Sequence, residues 1–213
     1  TDFALNHVDD RATKIVGNIF DMEKPYEELG CPDVIVHLAW RDGFMHGSLN
    51  HINDLPNDYA FLMKMVDAGI KKIAVMGSMH EIGYWEGSIN ENTPCNPKSM
   101  YGIAKNALRQ CLFALPQAQE CCIQWLRAYY IIGDDLHNNS VFSKIVKMEQ
   151  EGQKTFPFTS GKNLYDFISI DELAYQIAKT ATQTEEQGII NCCTGQPVSL
   201  ANKVEEFTNK YIN

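Results

Sequence analysis

The sequence has no run of basic residues and no long apolar stretch. Its 18 lysines and arginines are outnumbered by 27 aspartates and glutamates, which gives a formal net charge of −9. Because proteins that bind nucleic acid draw on clustered positive charge, we expect no nucleic-acid partner. No apolar segment approaches the ~20 residues that cross a bilayer, so we also expect no membrane partner. The protein is predicted to be soluble and cytoplasmic.

Cysteines with metal-binding or disulfide spacing are also lacking. The seven cysteines include adjacent pairs at 121–122 and 192–193, inside apolar runs where thiols pack as small hydrophobic groups. They form neither a zinc pattern nor a secreted disulfide framework, which fits a reducing compartment. His46 and His51 lie in one predicted loop without an accompanying carboxylate and make a poor metal site. We therefore predict no metal.

Segments of two kinds follow one another along the chain. Its 213 residues, 45% of them hydrophobic, can bury a sizeable core. Apolar runs bounded by turn residues predict buried strands, and apolar residues at helical spacing predict helices. The predicted strands are Lys14–Phe20, Val34–Ala39, Ile73–Met76, Cys121–Tyr130, Leu164–Ile170 and Gly188–Cys192. The predicted helices are Glu23–Leu29, Tyr59–Asp67, one from Ser99 to about Leu115 where Pro116 ends it, Val141–Glu151, one capped by Asp171 that runs to about Thr182, and one after Leu200.

One cluster of residues can carry acid/base chemistry. Tyr101 and Lys105 stand four apart, so a helix places the phenol and the ammonium on one face. A fixed cation stabilises a phenolate, so Lys105 is expected to lower the pKa of Tyr101 from its ordinary ~10. Ser78 follows an apolar strand and can supply a hydroxyl beside the phenol. The three groups then converge on one substrate oxygen.

A tyrosine and a lysine at this spacing also occur by chance on many helices. The order of the surrounding features is more specific than the pair. An apolar strand ends in Ser78, a glycine-containing loop follows, and Pro97 and Ser99 precede the helix that carries the pair. That order resembles the extended short-chain dehydrogenase/reductases, the NAD-dependent epimerase/dehydratase family that acts on nucleotide sugars.

Further segments carry the resemblance over nearly the whole chain. They are Val34–Ala39, Ala68–Lys72, Leu126–Gly133 and Tyr165–Ala174, which are similar to the family's fourth strand, the turn before its fifth, its sixth strand and a later strand with its helix start. The resemblance implies a Rossmann-like, doubly wound parallel sheet with a small C-terminal α/β substrate lobe. The expected division is 1–133 for the dinucleotide-binding part and 134–213 for the lobe, with a diffuse boundary.

The resemblance also implies residues that hold NAD, with NADP left open. Asp2, at the end of a predicted second strand, would accept hydrogen bonds from the adenosine ribose, and its carboxylate favours NAD over a 2′-phosphate; a solvent-exposed aspartate is the alternative. Asn18 and Ile19 would contact adenine, although Asn18 replaces the family's usual aspartate. At the end of the fourth strand, Leu38, Ala39 and Trp40 are expected to line the nicotinamide side of the pocket. Tyr101 and Lys105 of the predicted catalytic helix are also expected to contact the cofactor.

The start of such a fold normally has a strand, a glycine-rich turn and a helix. No glycine cluster precedes residue 40, so we expect an upstream strand and helix of ~30 residues to be missing and the C-terminus to be trimmed as well. Without the amides that hold the pyrophosphate, the stretch alone is expected to be inactive.

The predicted substrate side departs from the family pattern at two places. Family dehydratases carry an Asp-Glu pair where this chain has Met79-His80, which disfavours dehydration. His80 with Glu81 is either a local acid/base pair or solvated loop. Tyr130 stands where an asparagine commonly touches the nucleotide sugar, and we expect His80 and Tyr130 near the substrate.

Two classes of function remain open. The leading hypothesis is an NAD(P)-dependent enzyme that epimerises a nucleotide sugar or reduces its 4-keto form, with Ser78, Tyr101 and Lys105 as catalytic residues. The alternative is a cofactor-binding regulatory or partner protein that has lost the chemistry, in line with the departures at Asn18, Met79-His80 and Tyr130. A homodimer is expected from the resemblance.

Overall fold

A parallel sheet with helices on both faces forms the centre of the computed structural model, which describes residues 8–115, 120–133 and 140–211. The helices are α1 (Pro25–Glu28), α2 (Asn50–Asp67), α3 (Met100–Phe113), α4 (Val141–Gln150), α5 (Ile170–Thr182) and α6 (Leu200–Tyr211). The strands are β1 (Val34–His37), β2 (Lys72–Ser78), β3 (Cys122–Ala128), β4 (Tyr130–Ile132), β5 (Leu164–Tyr165), β6 (Phe167–Ser169), β7 (Gly188–Cys192) and β8 (Val198–Ser199). Asp2 and Pro116 lie outside the described residues.

The central sheet has the strand order β1-β2-β3-β7, and all of its pairs are parallel. Lys72 pairs with Cys122 and Ser78 with Ala128, so β2 and β3 run side by side over their whole length. Parallel strands end at the same edge of a sheet, and ligands of such folds bind outside that edge. Ser78 and the residues that follow it therefore lie at the edge of the sheet where ligands of such folds bind.

Alternate residues of β2 and β3 enter two separate cores. Ile73, Val75 and Trp125 pack with α2 and α3 on one face. Ala74 and Leu126 pack with α5 on the other face. This period-two alternation with apolar residues on both sides is what a strand covered on both faces requires. The predicted Rossmann-like, doubly wound fold is confirmed.

The C-terminal part forms two small sheets and contributes to the central one. β4 pairs with β6 in parallel, and β5 pairs with β8 antiparallel. β7 returns to the central sheet beside β3. The division between residues 133 and 134 stays a prediction, and the structure adds that the later part is not separate from the sheet in space.

The strand predicted over Lys14–Phe20 is wrong. Residues 14–18 pair with no strand of the described chain, and Ile19–Asp21 forms a 3-10 turn. Asn18 begins this turn because its side-chain oxygen accepts a hydrogen bond from Phe20 N. A strand is stabilised by its neighbour, whereas this turn satisfies its first amide locally.

Other boundaries also differ from the sequence prediction. α2 begins at Asn50 rather than Tyr59 and contains Pro56 inside the helix, at a residue type that usually ends one. The cap of α5 is Ser169 rather than Asp171, because the Ser169 hydroxyl accepts from Glu172 N. The strand predicted over Leu164–Ile170 is divided at Asp166, whose buried carboxylate accepts from the backbone and hydroxyl of Thr194.

The strand predicted over Cys121–Tyr130 is likewise two strands, since β3 ends at Ala128 and Tyr130 begins β4. Among the helices that the structure describes, none is both long enough and apolar enough to cross a membrane.

Candidate active site

Ser78 and Tyr101 meet where β2 ends and α3 begins. Ser99 caps α3 by accepting a hydrogen bond from Gly102 N at 3.1 Å. A Cβ on Gly102 would lie 2.4 Å from the carbonyl oxygen of His80, so only glycine lets the helix approach the turn after β2 this closely. The Ser78 hydroxyl lies close enough to the Tyr101 phenol across this contact to lower the pKa of Tyr101. Two of the three predicted catalytic residues are therefore brought close together.

Lys105, one turn further along α3, is fully buried beneath them. Its Nζ donates to Met76 O at 2.7 Å and lies 3.8 Å from the centroid of the Trp40 ring. Burial lowers the pKa of Lys105 to about 7, against the opposing charges of Asp58 and Glu81. At neutral pH the ammonium is therefore close to losing its proton.

The expected lowering of the Tyr101 pKa is wrong for this structure. Burial raises the pKa of Tyr101, the nearby Ser78 hydroxyl acts in the opposite direction, and the charge of Glu81 raises the pKa further. Lys105 contacts Met76 and Trp40. Because burial lowers its pKa to about 7, only part of the Lys105 amine is protonated at neutral pH. In the free protein Tyr101 is thus a protonated group and a proton donor.

Imidazole rings surround the phenol. The His46 ring stacks on Tyr101 with centroids 5.1 Å apart, and His80 and His51 approach it edge-on at 5.8 Å and 5.2 Å. Burial lowers the pKa of His80 to about 4 and also lowers the pKa of His46. Both rings are consequently neutral at neutral pH, and they offer ring faces and hydrogen-bonding nitrogens rather than charge.

The predicted substrate residues lie beside this cluster. The His80 ring is 6.4 Å from the Tyr130 ring, and Tyr130 is 4.5 Å from Tyr165. Sequence reasoning considered His46 and His51 only as metal ligands and missed Tyr165. In the sequence, only their residue types, imidazole after β1 and aromatic in the predicted strand Leu164–Ile170, indicated a possible role at the site.

Four of the predicted cofactor-binding residues, two from the expected adenine side and two from the expected nicotinamide side, line one cavity with a volume of about 530 Å³. It is lined by Gly17, Asn18, Ile19, Phe20, Ala39, Trp40, Arg41, Asp54, Asn57 and Asp58. Leu38 is 53% exposed and is not among them. Asn18, Ile19, Ala39 and Trp40 are thus brought together, whereas the structure does not place Leu38 with them.

The residues of this region fit a dinucleotide. The cavity lies at the carboxyl end of β1, has apolar walls from Ile19 and Phe20, and has amide and carboxylate groups for a sugar or base edge. Trp40 connects it to the predicted catalytic residues, because its indole lines the cavity and also covers Lys105. In the described part, Lys105 uses one of its three N–H groups, on Met76 O, which leaves donors for a ribose hydroxyl.

Glu81 is a polar residue that sequence reasoning misassigned. It is fully buried and faces Trp125 and Arg127, with its oxygens 2.8 Å and 2.9 Å from Trp125 Nε1 and one of them 3.5 Å from Arg127 Nη2. It is therefore neither solvated loop nor an acid/base partner for His80 at the surface.

A doubly wound parallel sheet with Ser78 and Tyr101 near each other at its carboxyl edge, and a buried lysine one helical turn beyond Tyr101, is typical of the extended short-chain dehydrogenases. The chain belongs to the NAD dependent epimerase/dehydratase family, whose sequence model matches residues 7–193. NAD is the cofactor of this family, as expected from the sequence.

The comparison with curated proteins finds dTDP-6-deoxy-L-talose 4-dehydrogenase (NAD(+)) from Aggregatibacter actinomycetemcomitans. It is 48% identical over 194 residues, which are 90% of this chain and 72% of that protein.

Solved structures show the same fold at low identity. A UDP-N-acetylglucosamine 4-epimerase from Methanobrevibacter ruminantium M1 matches with a TM-score of 0.79 at 18% identity, over 92% of this chain and 65% of that one. A dTDP-glucose 4,6-dehydratase double mutant from Streptomyces venezuelae, solved with NAD bound, matches with a TM-score of 0.80 at 18% identity, over 97% of this chain and 66% of that one. The chain thus spans about two thirds of the length of these structures.

Proposed function

We propose that this protein is an NAD-dependent dehydrogenase that interconverts a hydroxyl and a ketone at carbon 4 of a nucleotide-linked 6-deoxy sugar. The placement of the Ser78 hydroxyl near the Tyr101 phenol, on the helix that also carries buried Lys105, is the observation on which the proposal rests, because it allows two hydroxyls to face one substrate oxygen. The name of the 48% identical relative supports the choice of carbon 4 and of a 6-deoxy sugar. Of the two reactions left open by the sequence, this is the reductase.

In this proposal Tyr101 moves the proton of the reacting oxygen. When bound, NADH supplies a hydride to the sugar carbon, and NAD removes one in the reverse direction. Since burial raises the pKa of Tyr101, its phenol holds a proton that it can give to the ketone oxygen. Ser78 donates a hydrogen bond to the same oxygen, and Lys105 supplies positive charge near the phenolate and binds the nicotinamide ribose.

The neutral rings of His46 and His80 support a sugar without a charged substituent. Their pKa values are lowered by burial, so they offer no cation to a sugar carboxylate. The Met79-His80 sequence lacks the acidic pair of the dehydratases. Both observations favour simple oxidation or reduction over elimination of water.

The test compares Tyr101→Phe with Tyr175→Phe, an exposed tyrosine on α5, in the full-length protein. Turnover is followed as loss of NADH absorbance with the 4-keto form of a dTDP-6-deoxyhexose. We expect Tyr101→Phe to lower kcat by about 10³-fold, since it removes the general acid, while the Kd for NADH stays within about threefold. Tyr175→Phe should behave as wild type, and full turnover by Tyr101→Phe would refute the assignment.

The stoichiometry of the same assay separates this proposal from the alternatives. A dehydrogenase consumes one NADH for each ketone reduced, whereas an epimerase returns the hydride and shows no net loss. A protein that only binds NAD consumes no NADH and converts no sugar, whichever nucleotide sugar is supplied. The cytoplasmic location and the homodimer stay predictions.

A further inference from the structure

Ser78 and Glu81 cap the turn that follows β2 by two reciprocal hydrogen bonds. The Ser78 hydroxyl accepts from His80 N at 3.2 Å, and Ser78 N donates to Glu81 Oε1 at 2.6 Å. This reciprocal arrangement is a capping box on a single 3-10 turn, Met79–Glu81. The Glu81 carboxylate thereby fixes the backbone of the residue whose hydroxyl meets Tyr101.

Glu81 is itself held from the next strand and the next helix. Trp125 Nε1 contacts both carboxylate oxygens, while Arg127 Nη2 and Arg109 Nε approach Oε2 at 3.5 Å and 3.8 Å. Burial raises the pKa of Glu81, and the Ser78 amide, Arg127, Trp125 and Arg109 act in the opposite direction. A buried carboxylate persists only when such donors compensate its lost hydration.

Gly77 makes room for this arrangement. A Cβ at Gly77 would lie 2.1 Å from Trp125 Nε1 and 2.7 Å from Glu81 Oε1. The Trp125 indole therefore packs against the backbone of Gly77, so closely that any residue with a Cβ at position 77 would overlap it. Gly77, Trp125 and Glu81 together fix the position of the Ser78 backbone.

We propose that Glu81 is a positioning residue, which holds the Ser78 backbone against Trp125 and so keeps the Ser78 hydroxyl on the oxygen that Tyr101 serves. The inference rests on the proposed function of Ser78 and Tyr101. In the part of the chain that the structure describes, Glu81 neither lines the cavity nor forms a hydrogen bond with the phenol, so its contact with the site is through Ser78. Its charge also raises the pKa of Tyr101, but the phenol is protonated at neutral pH with or without that charge. Loss of Glu81 should lower kcat and leave the binding of NAD and sugar nearly unchanged.

The experiment is a double-mutant cycle between Glu81→Gln and Ser78→Ala in the full-length protein. A misplaced reacting group costs up to about 10²-fold, so we expect Glu81→Gln alone to lower kcat by about 10- to 100-fold. The KM for the sugar and the Kd for NADH should stay within about threefold, since Glu81 does not line the cavity. In the Ser78→Ala background, Glu81→Gln should change kcat by less than about twofold, because the hydroxyl that it positions is gone.

Two further variants separate positioning from general loss of structure. Trp125→Phe removes the indole donor and keeps an aromatic ring, so its kcat should fall in the same sense and again only when Ser78 is present. If Glu81→Gln does not fold, this cycle decides instead. Lys72→Met removes another buried charge, at the opposite end of β2, where Nζ donates to Ala181 O at 3.0 Å. It should lower stability without changing kcat in either background.

The outcomes are distinguishable. If Ser78→Ala leaves kcat unchanged, the proposed function of this site fails. If Ser78→Ala lowers kcat but Glu81→Gln and Trp125→Phe lower it by the same factor in both backgrounds, Glu81 does not act through Ser78 and the positioning role is overturned.

Discussion

The corner behind Ser78 and the rim of the cavity lie at the same edge of the sheet but are built differently. In the corner, Glu81 comes from the turn after β2, Trp125 and Arg127 come from β3, and all three are buried. At the rim, Arg41 is exposed and forms a two-bond ion pair with Asp54, at 2.9 Å and 2.8 Å. Buried polar contacts fix atoms closely, whereas exposed ion pairs contribute little to stability.

The difference matches what each region has to hold. A hydroxyl must stay within hydrogen-bonding distance of one reacting atom, and an error of an ångström is costly. A dinucleotide is large and makes many contacts, so its site tolerates side chains that adjust on binding. Three substitutions test this contrast, from the largest expected effect to the smallest.

Gly77→Ala should have the largest effect, because its new Cβ would overlap Trp125 and Glu81. Overpacking of a buried site costs about 3 kcal/mol at the upper end of the usual range, and we expect that loss in the free energy of urea unfolding. The control is Gly47→Ala, where a Cβ meets nothing within 4 Å, and its change should stay below about 0.5 kcal/mol. Equal stability of the two variants would mean that the corner is loosely packed.

Lys105→Met should change how stability depends on pH. The pKa of Lys105 is about 7 in the folded protein and 10.5 in the ordinary state, so the unfolded chain binds more protons between these values. Stability of the wild type should therefore rise with pH in this window, by about 2 kcal/mol between pH 7 and 9. Lys105→Met lacks this proton and should lack this rise. Parallel curves from urea unfolding at the two pH values would contradict the burial of an ionisable amine.

Arg41→Ala should have the smallest effect and act on binding. In the described part of the chain, Arg41 is the one basic residue that lines the cavity, and NAD carries negative phosphates. We expect the Kd for NADH, measured by calorimetry, to rise about tenfold, equivalent to about 1.4 kcal/mol, with kcat at saturating NADH nearly unchanged. Arg11→Ala is the matched control, since Arg11 also pairs with an aspartate at the surface, Asp9. An equal effect of both variants would show only a change of net charge.

The contacts that sequence predicts best are those made within a few residues. Three local patterns were read correctly from the sequence. They are the strand at Ile73–Met76, the helix cap at Ser99 and the placement of Tyr101 and Lys105 one turn apart on that helix. Local patterns also place Ser78 at a strand end. What they leave out is the depth of burial, which reversed the expected pKa shift of Tyr101.

The network of Glu81 could not be predicted because its partners are distant in the chain. Trp125 is 44 residues away, and it reaches Glu81 only because β2 and β3 pair in the observed register. The wrong strand at Lys14–Phe20 has a related cause, since strand formation depends on a neighbour that local pattern does not include. Pro56 concealed the first turns of α2 because proline is a strong local signal that tertiary packing overrode.

Trp40 gives the two regions a common wall. Its side chain borders the cavity, and its ring also covers the Lys105 amine. A smaller side chain at residue 40 would both enlarge the cavity and expose the Lys105 amine to water. A substitution at that residue is therefore expected to change the cavity and the protonation of Lys105 together, whereas a substitution of exposed Arg41 changes the cavity alone.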